Sequence, residues 1–77
     1  MTHARYEMEL TSRAESGAPA TYRINDEGGR RVGVMYRRGE WWHARQLDKK
    51  QNPHGATVIR AEAREAFEVI TQRLEQK

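Results

Sequence analysis

The hydrophobic rhythm of this chain changes once, and that change limits the folds open to it. Its first part carries apolar residues at every second position, the mark of half-buried strands, and from about Ile59 the spacing becomes helical. Tyr6, Met8 and Leu10 alternate with Arg5, Glu7, Glu9 and Thr11, which predicts a first strand. The stretch Ser12 to Pro19 is loop chemistry, and Tyr22 and Ile24 then face alike in a second strand over Ala20 to Asn25. A turn follows at Asn25-Asp26-Glu27-Gly28-Gly29, where the glycines adopt left-handed backbone angles freely. The third strand is expected over Arg31 to Tyr36 and the fourth over Glu40 to Leu47. After Asp48, KKQNPHGA reads as a loop marked by Pro53 and Gly55, with Thr57 and Val58 forming a short strand or the turn into a helix. Ala63, Ala66, Phe67, Ile70 and Leu74 then make one apolar stripe at i, i+3, i+4, i+7 and i+11. The expected fold is one small α+β domain over residues 1–77: an antiparallel four-stranded β-sheet meander packed on one face by a C-terminal α-helix, ββββα. The other face of the sheet is left open to water or to a partner.

The hairpin of strands three and four sets which side chains reach that face. A three-residue loop, Arg37-Arg38-Gly39, places glycine at the left-handed position of a type I turn with a G1 bulge. It pairs Tyr36 with Glu40, Val34 with Trp42 and Val32 with Ala44. One face then shows Val32, Val34, Tyr36, Trp42 and Ala44; the other shows Arg31, Gly33, Met35, Trp41, His43 and Arg45. A two-residue loop at Arg38-Gly39 would shift strand four by one position and exchange the tryptophans.

Charge is concentrated on the same unit. Residues 30–50 hold seven of the fourteen Lys/Arg residues against Glu40 and Asp48, a net of +5, whereas residues 1–29 carry net −2 and residues 51–77 balance. Cations neutralise phosphates and flat rings stack on bases, at roughly 1–3 kcal/mol per base, so a basic hairpin with two tryptophans suits a nucleic-acid strand. Trp41 is the expected stacking platform, with Arg31, His43 and Arg45 beside it. Arg37 and Arg38 at the tip, and Arg30, Arg31, Lys49 and Lys50 at the other end, are placed to grip a phosphate backbone. The plainer reading makes Trp41 a cover for the second side of the sheet and the basic pairs solubilising residues that discourage edge-to-edge aggregation. Adjacent tryptophans on one strand point to opposite faces, and a domain with one helix cannot bury both well, which favours the functional reading. The acidic helix residues Glu62, Glu65, Glu68 and Glu75 read first as a solvated surface and second as a docking face.

Other chemistries find no support. With no cysteine there is no disulfide or thiolate metal site, and a cytoplasmic location is the natural expectation. His3, His43 and His54 lack metal-ligand spacing, no phosphate-cradling glycine motif is present, and Ser12 and Ser16 sit in or beside a loop. Glu7 and Glu9 share one strand face and read as solvated. Neither an enzyme nor a cofactor or metal is expected. No apolar run reaches the roughly 20 residues of a membrane span, and Met1 to Arg13 holds no signal-peptide core. Hydrophobic residues make up only 36% of the chain and mean hydropathy is −1.04, so the core is thin and a homodimer is one way to supplement it.

The run RRVGVMYRRGEWWHARQLD followed by the helix AEAREAFEVI resembles the sheet-plus-helix DNA-binding modules of the AP2 and integrase-arm type over about 45 residues. That resemblance implies groove reading by the sheet, through Arg31, Trp41, His43 and Arg45. Four strands followed by a helix is also similar to the PC4-like single-strand binders. Two functions follow as expectations. One is a small nucleic-acid-binding protein that uses the basic hairpin and the open face. The other is a protein-binding module, such as a phage- or plasmid-type inhibitor of the anti-defence kind, that docks through the same Trp/Arg patch, since exposed Trp, Tyr and Arg are enriched at interface hot spots.

Overall fold

The computed structural model describes residues 5–12 and 20–76, so the connection over residues 13–19 and His3 lie outside the described residues. Five strands form one antiparallel sheet in the order β1-β2-β3-β4-β5: β1 (Tyr6–Ser12), β2 (Thr21–Asp26), β3 (Arg31–Arg38), β4 (Trp41–Leu47) and β5 (Pro53–Arg60). The helix α1 (Ala63–Glu75) then packs across β3, β4 and β5.

The sheet thus has one strand more than the four expected from sequence. β5 forms from the stretch read as a loop, because both of its punctuating residues suit an edge strand. Pro53 is its first residue, where a missing N–H breaks no ladder. Gly55, with φ +76°, lies where the β4–β5 ladder shifts between the pairs Ala44–Val58 and Gln46–His54. The helix accordingly starts at Ala63 rather than near Ile59.

The core lies between α1 and one face of the sheet. Ala66, Phe67, Ile70 and Leu74 form the buried stripe of α1, and Ile24, Met35, Ala44 and Val58 answer it from the strands. Each large apolar side chain fully buried here contributes ~1.5–3 kcal/mol. Thr71 is also buried in the stripe, and its hydroxyl bonds back to the Phe67 and Glu68 carbonyls at 2.9 and 3.0 Å. Trp42 and Tyr22 close one end of the core, their rings tilted at a centroid distance of 5.7 Å. Gly33 is required by close approach: a Cβ there would lie 3.0 Å from the Arg45 carbonyl oxygen and 3.2 Å from Ile24 Cδ1.

The β3–β4 register differs from the expected one by three positions. Arg38 pairs with Trp41, Tyr36 with His43, Met35 with Ala44 and Val34 with Arg45, leaving Gly39-Glu40 as a two-residue loop. Gly39 has φ +61° and Glu40 does not have a positive φ, the pattern of a type II′ turn with glycine first. An odd shift carries β3 to the opposite face relative to β4. Met35 and Gly33, expected beside Trp41, belong to the core, whereas Val34 and Tyr36 face outward. Arg31 still faces outward, because Ile24 pairs with Gly33 and Asn25 with Arg31, and the unpaired Val32 between them restores the alternation.

Two connections at the other end of the sheet share one design. The Asp26 carboxylate accepts the Gly28 and Arg30 amides at 3.0 and 2.9 Å, and the Asp48 carboxylate accepts the Lys50 and Asn52 amides at 2.9 Å each. In each turn the fourth residue takes a left-handed conformation: Gly29 at φ +83° in one, Gln51 at φ +67° in the other.

Candidate nucleic-acid interface

Strand alternation places Arg23, Val34 and Arg45 in one row across the open face, and Thr21, Tyr36, His43 and Ile59 in the next. Arg38 and Trp41 follow as the last pair, beside the β3–β4 loop. Tyr36 and His43 stack at a centroid distance of 5.5 Å with an interplanar angle of 13°, so β3 and β4 present a paired aromatic surface. Trp41 is 51% exposed and Ile59 45% exposed, and both enlarge that surface.

The cationic groups on this face are largely uncompensated. Arg23 lies 3.6 Å from Glu9, but among the described residues Arg31, Arg38 and Arg45 form no salt bridge. Arg45 donates to the Gly55 carbonyl at 3.3 Å, across to the edge strand. Its Nε is buried without a hydrogen-bond partner, as is the Nε of Arg23. An unsatisfied buried donor costs ~1–3 kcal/mol. Asn25, in the same column as Arg23, donates to Glu9 Oε1 at 2.9 Å, and its own Oδ1 is buried without a partner. A shallow cavity of about 240 Å³ opens here, lined by Thr11, Thr21, Arg23, Arg31, Val34 and Tyr36 among others.

Arg31, Arg38, Trp41, His43 and Arg45 are therefore carried on the open face. From Arg31 to Arg38 the track runs about 23 Å along β3, at roughly 3.3 Å per residue. Arg37 stands apart: it pairs with Trp42 on the helix-bearing side, and its Nε donates to the Gly39 carbonyl at 2.9 Å. Lys49 and Lys50 sit in the β4–β5 turn, at the far end of the sheet from the hairpin tip. Val34, Tyr36, Arg23 and Ile59 extend the set expected from sequence. Val34 and Tyr36 join it through the β3–β4 register, Ile59 through β5, and Arg23 by alternation with Tyr22 and Ile24 along β2.

Among the described residues, no group of three His, Cys, Asp or Glu side chains gathers at metal-binding distance, and no helix is long and apolar enough to cross a membrane. The fold defines an α+β class, a five-stranded antiparallel meander with one helix on one face. No protein-family model, curated protein or solved structure matches the chain.

Proposed function

We propose that the protein binds nucleic acid along the open face of its sheet and does so without catalysing a reaction. The supporting observation is the juxtaposition on that face of unpaired cations, Arg31, Arg38 and Arg45, with exposed or stacked rings, Trp41 and the Tyr36–His43 pair. Phosphate oxygens would meet the arginines, and bases would stack on Trp41 and beside Tyr36. The absence of cysteine fits a cytoplasmic setting.

Titration with labelled single- and double-stranded oligonucleotides at two salt concentrations tests this reading. Micromolar or tighter binding is expected, with a steep fall as salt rises. Three phosphate contacts on a single strand correspond to a log–log slope of about −2. Absence of binding to either form at low salt refutes it. The exposed apolar area at Trp41 and Ile59 favours one other reading, a protein partner docked on the same face, and a complex that persists at high salt would be its signature.

A further inference from the structure

We propose that the cleft between the two aspartate turns holds the phosphorylated end of a bound strand. The inference rests on the nucleic-acid reading of the open face and adds an end site to it. The β2–β3 and β4–β5 turns leave the sheet at the same end, and a cavity of about 270 Å³ lies between them. Arg30, Arg31, Lys49 and His54 stand around it, and Val32, Leu47 and Leu74 supply an apolar lining. Asp26 and Asp48 also border the cavity, but each uses one carboxylate oxygen to accept two backbone amides of its own turn. Three full cations against these two carboxylates leave an excess of positive charge, and among the described residues none of the three forms a salt bridge.

The chain also holds this cleft together at a cost. Gln51 takes φ +67° where the matching position of the other turn is glycine, a conformation that is unfavourable by roughly 1–2 kcal/mol for an L-residue with a side chain. Its side-chain amide donates to the Arg31 carbonyl at 3.1 Å, which ties the β4–β5 turn to the start of β3. A glycine at this position would relax the backbone and lose the tie.

Continuity with the open face argues for a strand end rather than an isolated anion. Arg31 borders both this cleft and the cavity of the open face, so the line of cations is unbroken between them. The cleft is larger than one phosphate group, and its apolar lining suits the sugar or base of the terminal nucleotide.

The test compares oligonucleotides of one sequence carrying a 5′-phosphate, a 3′-phosphate or only hydroxyl ends, by fluorescence anisotropy at fixed ionic strength. One phosphorylated form is expected to bind about tenfold tighter than the hydroxyl form, the scale of one charge-assisted hydrogen bond. Lys49→Ala and Arg30→Ala should erase that preference and leave binding of the hydroxyl form largely intact. Gln51→Gly should lower the preference without lowering the thermal midpoint, which separates positioning from folding. Equal affinity for the three forms, or a preference that survives both cation variants, overturns the end site and leaves the open face standing. Binding of no oligonucleotide overturns both. If inorganic phosphate alone binds the cleft as tightly as the strand end does, the site is one for free anions and the strand-end assignment falls.

Discussion

Replacing each tryptophan in turn by alanine separates folding from binding on the two sides of β4. Trp42 packs against the core beside Tyr22, whereas Trp41 is 51% exposed on the open face. On a side chain that buries 150–250 Å², this contrast amounts to roughly 40–100 Å², or ~1–2.5 kcal/mol at 25 cal/mol per Å². The void left under Trp42 adds to that, since removal of a fully buried Phe or Trp side chain costs ~3–5 kcal/mol. Trp42→Ala is therefore expected to destabilise the domain by ~2–4 kcal/mol and Trp41→Ala by ~1–2 kcal/mol. In a domain of this size, each kcal/mol moves the thermal midpoint by about 4–8 °C, so circular dichroism melts at 222 nm resolve the two variants. Oligonucleotide affinity should show the reverse order, with Trp41→Ala losing about one stacked base, ~1–3 kcal/mol. If Trp41→Ala is the more destabilising of the two, the faces of β4 are interchanged and the proposed platform is wrong.

Gly33→Ala should cost ~1–3 kcal/mol in urea denaturation, because the added methyl meets the Arg45 carbonyl at 3.0 Å, and a neutral effect would contradict that contact. Arg45→Ala should flatten the salt dependence of single-strand binding by about 0.7 in log–log slope, as one phosphate contact is lost; an unchanged slope removes Arg45 from the interface. Tyr6 supplies a pH-dependent test on the helix-bearing side. Burial raises its pKa above the ordinary 10.0, opposed by Arg5 and reinforced by Glu75, Asp26 and Glu27. The fold thus favours the neutral phenol, and the associated stability is complete below pH 10 and lost as pH rises through the raised value. Chemical denaturation between pH 9 and pH 12 should show this extra loss in the parent protein, and Tyr6→Phe should lack it. Equal pH dependence in the two proteins would contradict the shift.

The helix was legible because Ala66, Phe67, Ile70 and Leu74 carry its period in the chain itself, and tertiary packing had only to use the stripe. β5 was hidden because Pro53 and Gly55 signal a break wherever they occur, and only edge position and the shifted ladder make them compatible with a strand. Within the site, Trp41, His43 and Arg45 were legible from alternation along β4 alone. The partners on β3 were not, since Val32, Val34, Met35 and Tyr36 put apolar side chains on both of its faces. Hydrophobic sorting could not choose between registers there, and the choice fell to the Gly39-Glu40 turn. The Glu9–Arg23–Asn25 cluster joins β1 to β2 across the sheet. No local spacing announces it.

The location of binding is the central claim, and amide and indole chemical-shift mapping with a short single-stranded oligonucleotide tests it most directly. The expected result is a set of perturbations on Tyr36, His43, Arg45 and the Trp41 indole, with the solvent-facing residues of α1, such as Glu65 and Gln72, unmoved. Perturbations concentrated on α1, or none at low salt, would contradict the assignment of the open face as a nucleic-acid surface.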